Sequence, residues 1–215
     1  MKAIPCNEGW FCRHYPTDEP LIPVRIPDDA MLREPRGARS SGGANVGWFD
    51  GRDYSYTKTL TLSEKDLSGA LLLESEGVYR KAEVFVNGEK AGARPYGYLN
   101  FYVDLIPFAK IGENRIEVRA YNADQPNSRW YSGTGIYRPV VLWKAPKRHI
   151  LPNGVKLKTL SLDPPTVEVA VQTTDPGAVT VELCDGETVL AAQKGEQRTF
   201  AGQSPFFASL IMPSE

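Results

Sequence analysis

Short alternating segments bounded by turn residues recur along most of this chain, and that rhythm limits what it can fold into more than any other feature. Tyr54, Tyr56, Lys58, Leu60 and Leu62 alternate with Ser55, Thr57, Thr59 and Thr61, a period of two that puts neighbouring side chains on opposite faces of a strand. Ser63 to Gly69 turns the chain, and Ala70 to Glu76 forms a second strand that ends at Gly77. Ala82 to Val86 runs into Asn87-Gly88 and on to Gly92, a hairpin signal because Asn-Gly accepts positive φ at both central positions. Tyr98 to Leu105, Asn114 to Tyr121 and Tyr137 to Trp143 continue the series, with Ile106 to Lys110 as a helical turn or loop. With no convincing helix among them, an antiparallel sandwich is the natural way to bury one face of each strand.

The first 53 residues are broken up by Pro and Gly, as in Leu21 to Pro27 and Arg36 to Gly43. They read as strands at sheet edges joined by surface loops. We place the end of the first domain near Ala145, giving domains 1–145 and 146–215, with the polar run Pro146 to His149 as linker. Beyond it, Val155 to Leu160, Thr166 to Val171, Val179 to Leu183, Val189 to Gln193 and Phe206 to Ile211 alternate between Asp-Pro-Pro, Asp-Pro-Gly and Asp-Gly turns. The pattern is immunoglobulin-like. Its five strands fall short of the roughly seven of such a sandwich, so the second domain is expected to be incomplete. The predicted fold is therefore all-β, with two consecutive β-sandwiches. The 19 Gly and 17 Pro of the 215 residues suit this reading, since many short strands need many turns.

Several classes of function are disfavoured. Lys plus Arg is 25 against 26 for Asp plus Glu, a net charge of -1, so no basic field draws nucleic acid. No apolar run approaches the roughly 20 residues that span a bilayer, and Met1 to Glu8 lacks the apolar stretch of a signal peptide, so the expected location is cytoplasmic. Cys6, Cys12 and Cys184 have neither metal nor redox spacing and read as reduced, incidental thiols. With two histidines, His14 and His149, a metal centre is hard to build. No metal and no cofactor is expected.

Three groups of residues are worth weighing for chemistry. Glu74 and Glu76 share one face of a strand and could form a carboxylate pair, although acids at a strand end are expected to face solvent or cap a loop. Asp28-Asp29 is expected to be structural. The segment from Asn122 to Gly135 stands apart: Asn122, Asp124, Asn127, Arg129, Trp130 and Tyr131 combine fixed donors and acceptors with aromatic rings, the mixture that sugar hydroxyls and pyranose faces require. Trp130 and Tyr131 either face a sugar or bury inward and peg the loop.

These residues also carry a family resemblance. Pro27-Asp28-Asp29-Ala30-Met31 is similar to a Pro-His-Asp-Ala-Met loop of glycoside hydrolase family 2, and Glu76-Gly77-Val78-Tyr79 and Val84 to Gly88 match its strand end and hairpin. Arg94 to Tyr98 and Pro126 to Arg138 match nearly residue for residue. The chain thus resembles the amino-terminal region of bacterial β-galactosidases in that family, strongly over Ile26 to Val155. The resemblance implies a galactose-binding-like jelly roll followed by an immunoglobulin-like domain. A TIM barrel elsewhere in the full-length chain would carry two catalytic glutamates, so no catalytic residue is assigned here. It also implies that Asn122 to Gly135 reaches the rim of the sugar pocket. There Arg129 would contact a β-galactoside hydroxyl and Trp130 the ring, with Asn122, Asp124 and Asn127 shaping the loop or joining the contact. Asp28 departs from the family's His, and Arg138 is expected to pair with a buried carboxylate. Arg13-His14-Tyr15-Pro16 echoes a barrel signature at the wrong end of the chain and is taken as a decoy. The leading expectation is a non-catalytic N-terminal fragment of such an enzyme; a free-standing carbohydrate-binding module and a structural or oligomerisation domain are the alternatives.

Overall fold

The structure, a computed structural model, describes residues 1–162, 165–175, 179–185, 187–194, 197–201 and 207–211. The chain divides into two compact units, Lys2–Ala145 and Pro146–Glu215.

The first unit holds strands β1 (Lys2–Pro5), β2 (Trp10–Tyr15), β3 (Ile22–Val24), β4 (Asp53–Leu62), β5 (Ala70–Ser75), β6 (Ala82–Val86), β7 (Glu89–Arg94), β8 (Phe101–Asp104), β9 (Gly112–Ala120) and β10 (Val140–Ala145). They form a six-stranded sheet, ordered β3-β2-β4-β9-β6-β7, and a four-stranded sheet, ordered β1-β10-β5-β8. Every pairing is antiparallel. Leu71, Leu73, Val103 and Leu142 from the smaller sheet pack with Tyr56, Val84, Ile116 and Val118 from the larger one in a single buried core. This is the jelly-roll sandwich that the period-two pattern demands, because each strand contributes alternate residues to the core.

The predicted strands differ from the observed ones where long-range contacts intervene. β2 is not an edge strand: it lies between β3 and β4, and Trp10 and Cys12 bury on its inner face. Only β1 and β3, from the first 53 residues, lie at sheet edges. β8 begins at Phe101 and β10 at Val140, so Tyr98, Leu99 and Tyr137 lie in loops. Pro139, which has no amide to donate, directly precedes β10. The Ser63 to Gly69 turn contains one helical turn, α1 (Glu64–Leu67). Its capping box has Ser63 and Asp66 each accepting the other's amide. Asn87 and Gly88 take φ of 52° and 91° at the β6-β7 hairpin, as their composition predicts.

The second unit contains β11 (Ile150–Leu162), β12 (Pro165–Thr173), β13 (Thr180–Asp185), β14 (Thr188–Lys194), β15 (Gln197–Ala201) and β16 (Phe207–Ile211). They form sheets β11-β12-β15 and β14-β13-β16, around Val169, Val171, Val179, Val181 and Leu183. The described residues therefore hold six strands, one more than the sequence pattern suggests; β15 lacks a clear alternating apolar set. Asp163-Pro164, Pro176-Gly177, Gly186 and Phe206, expected in turns or at a strand start, lie outside the described residues. His149 does not behave as linker: it is buried, and its Nδ1 lies 2.9 Å from the Pro146 carbonyl oxygen. Among the described residues no helix is long and apolar enough to cross a membrane.

Candidate functional site

The loop from Asn122 to Gly135 joins β9 to β10, and two carboxylates far away in sequence fix its ends. Asp53, at the start of β4, accepts the amides of Asn122 and Ala123 through one oxygen, at 2.6 and 2.7 Å. Asn122 is itself buried. Its Nδ2 donates to Thr134 Oγ1 at 2.6 Å and to the Gly133 carbonyl at 3.1 Å, closing the loop across 12 residues. Its Oδ1 accepts from Asn127 Nδ2 at 2.7 Å, and Asn127 also donates to the Asp124 carbonyl. Asn122 thus spends its side-chain polar atoms on the loop itself, while Asn127 also accepts from the Tyr79 hydroxyl at 3.3 Å.

Asp29 secures the other end. It accepts the Thr134 amide at 2.9 Å and the Tyr131 hydroxyl at 2.6 Å. Burial, followed by this carboxylate, pushes the Tyr131 phenol above its usual value. Backbone bonds from Asp28 to Ile136, Ala30 to Thr134 and Tyr79 to Gly135 complete the anchorage. Gly135 has φ of +121°, and a Cβ there would lie 2.1 Å from the Tyr56 hydroxyl. Only glycine fits so close to a buried ring.

Between these anchors the crest of the loop is exposed. Trp130 is 61% exposed, with its Nε1 3.3 Å from the Tyr98 hydroxyl oxygen. Tyr131, by contrast, is the peg: its hydroxyl is on Asp29, and its ring lies 6.1 Å from Phe49. Arg129 is exposed and engages no hydrogen-bond or ion-pair partner among the described residues. Asp124 is exposed at the loop's base, 3.6 Å from Arg80.

Beside the crest lies a tyrosine cluster to which sequence reasoning assigned no role. Tyr98 packs against Tyr79 at 5.3 Å, Tyr96 at 5.6 Å and Tyr137 at 6.5 Å between ring centroids. Its signal was present in the Arg94 to Tyr98 motif, but Tyr98 and Tyr137 read as strand, which hid them. Arg138 differs from expectation. Among the described residues it meets no buried carboxylate; its guanidinium lies 5.4 Å from the Tyr137 ring centroid, and the residue is exposed.

The remaining candidates are structural. Glu74 does not face solvent as a strand-end acid would. It is buried and accepts from Asn100 Nδ2 and Trp143 Nε1, each at 2.7 Å, because those side chains fold over the outer face of the smaller sheet. Asp28 accepts both donors of the Arg33 fork, at 2.7 and 3.0 Å, and the Tyr56 hydroxyl at 2.6 Å. His14, in the decoy signature, lies on β2 with Nε2 2.6 Å from Glu34 and Nδ1 2.7 Å from Glu19. Glu34 also accepts from Tyr54 at 2.7 Å and Arg52 at 3.0 Å. Burial alone would raise the Glu34 carboxyl, but His14, Tyr54 and Arg52 together outweigh it and hold the group below its ordinary value. Among the described residues no group of His, Cys, Asp and Glu could hold a metal ion.

Residues 38–149 match the family described as glycosyl hydrolase 2 galactose-binding domain-like. A putative β-glucuronidase of Formosa agariphila is 37% identical over 157 residues, 72% of this chain and 15% of its own length. The β-galactosidase BoGH2A of Bacteroides ovatus is 43% identical over 142 residues, 64% of this chain and 16% of its own. The chain thus spans about 15% of the length of these curated relatives. In shape it is similar to a β-glycosidase from Bacteroides vulgatus, with a TM-score of 0.81 at 22% identity over 94% of this chain and 29% of that one.

Proposed function

The chain belongs to the glycosyl hydrolase 2 galactose-binding domain-like family, and from that premise we propose that it is the non-catalytic, carbohydrate-facing part of a retaining β-glycosidase. The substrate would be a β-galactoside or a β-glucuronide, the two sugars for which its relatives are named. Bond cleavage falls to a barrel carrying the acid/base and nucleophile glutamates. The jelly-roll unit lends that barrel the loop from Asn122 to Gly135 as one wall of its pocket, and the second unit is an immunoglobulin-like spacer.

One observation carries this reading: the loop is fixed at both ends by Asp53, Asn122 and Asp29, while Arg129 and Trp130 at its crest are left exposed. A donor held in place before the sugar arrives avoids the ordering cost of about 0.5–1.5 kcal/mol per side chain. Arg129 would donate to a sugar hydroxyl and Trp130 would cover the C–H face of the ring. Asn122 and Asn127 keep the crest in position, and Asp124 with Arg80 supports its base.

The test is Arg129→Ala in the enzyme that joins this region to its barrel. It should lower kcat/KM about 30-fold, the equivalent of ~2 kcal/mol for one charged donor. The melting temperature should hold, since the side chain is exposed. An unchanged kcat/KM would refute the role.

A further inference from the structure

Seven of the twelve arginines of the first unit, Arg13, Arg25, Arg33, Arg52, Arg80, Arg115 and Arg119, lie within 4.0 Å of a carboxylate. Arg36, Arg39, Arg94, Arg129 and Arg138 do not, and three of these five, Arg94, Arg129 and Arg138, fall in the two segments beside the tyrosine cluster. The segments 94–99 and 126–138, which supply every ring of the aromatic cluster except Tyr79, contain Arg94, Arg129 and Arg138, and neither Asp nor Glu. The acid just before them, Asp124, faces Arg80, and Asp29 is taken by Tyr131 and Thr134.

The same two segments present apolar rings to solvent. Trp130 is 61% and Tyr96 55% exposed, and both contact Tyr98. Tyr98 in turn contacts Tyr137, over whose ring Arg138 lies. Arg138 is also held by its stem: a Cβ on Gly77 would come 2.9 Å from its Cδ, so the chain there packs on bare backbone. The result is a surface of rings with a positioned guanidinium at one side that has no carboxylate of the described residues within 4.0 Å.

We propose that this surface binds an acidic oligosaccharide, one carrying carboxylates on its sugar rings, with Tyr96 and Trp130 stacking on pyranose faces and Arg138 taking a carboxylate. A guanidinium offers a planar fork that matches a carboxylate in two parallel hydrogen bonds. Rings alone would serve a neutral sugar equally well, so the uncompensated arginine is what selects for acid. Nucleic acid also stacks on rings, but it needs a broad basic field, and the chain's net charge is -1. The proposal shares Trp130 with the pocket-rim role but rests on Tyr96 and Arg138, which that role does not use, and is read without turnover, so either can fail alone.

The test uses the chain itself, titrated calorimetrically with two tetrasaccharides of one linkage and length: cellotetraose and its C6-oxidised counterpart, β-1,4-linked tetraglucuronate. The acidic ligand should bind at least tenfold tighter and lose that advantage between 50 and 500 mM salt. Arg138→Gln should weaken the acidic ligand about fivefold and leave cellotetraose unchanged, whereas Tyr96→Ala should weaken both. Thermal melts of both variants should match the parent. Equal affinity for the two ligands, no binding of the acidic one, indifference to Arg138→Gln, or equally tight binding of a thymidine tetranucleotide would each overturn the proposal.

Discussion

The carboxylate of Asp29 accepts the hydroxyl of Tyr131 at 2.6 Å, across 102 residues of chain. Its position leaves no room for a side chain at Gly133, where an added Cβ would come 2.5 Å from Asp29 Oδ2 at φ of +68°. Gly135 is tighter, because its missing Cβ would strike Tyr56, which is fully buried.

Gly133→Ala should therefore cost about 1–2 kcal/mol, since Asp29 sits on a side chain that can shift. Gly135→Ala should cost more than about 3 kcal/mol, because the core ring cannot. Urea unfolding followed by tryptophan fluorescence reports this unit selectively: Trp10, Trp48, Trp130 and Trp143 all lie within it. The reverse order of the two variants would contradict the packing described.

Glu34 should make the first unit sensitive to acid. Its carboxyl is held below the ordinary value in the folded state, against roughly 4.3 when unfolded. Between those two values the unfolded chain binds more protons, so stability is fully present above pH 5 and falls as pH drops through the folded value. Glu34→Gln should be less stable at pH 7 and show a shallower loss below pH 5. Parallel pH profiles for variant and parent would show that Glu34 is not the group responsible.

Asp28 occupies a position where the family pattern has His, and its surroundings explain the difference. Arg33 and Tyr56 both donate to it, so Asp28→His would leave a cation beside Cys12 without its anion. We expect a loss of about 2 kcal/mol, less than the 3–5 typical of a fully buried pair because Arg33 is partly exposed. Denaturant midpoints measure it, and a variant as stable as the parent would remove the pair from the account of this loop.

Cys6 and Cys12 should be inert in the folded chain. Burial raises both thiols, Cys12 to about 11 even with Arg33 nearby, and both side chains lie in the core. Alkylation by iodoacetamide at pH 8, followed by peptide mapping, should run at least about 100-fold slower in buffer than in urea. Comparable rates would mean that the core opens readily.

The strands themselves were legible because a strand declares itself locally. The Tyr54 to Leu62 alternation and the Asn87-Gly88 turn depend on neighbours two residues apart, and β4 and the β6-β7 hairpin follow them closely. β2 was misjudged because its place inside the sheet depends on β3 and β4 rather than on its own composition. Tyr98 and Tyr137 were read as strand because aromatic residues favour both strands and clusters.

The loop shows the division most clearly. The sequence alone determined the all-β class and the residue types of this loop, polar groups with paired aromatics. Which atoms remain available was decided only by the tertiary structure. Asn122 is consumed by Thr134 and by Asp53, the latter 69 residues away; Tyr131 is consumed by Asp29; Arg129, Trp130 and Arg138 are left outside. A polar side chain can act on a ligand only with hydrogen bonds it has not already made, and its partners here come from strands brought together by folding.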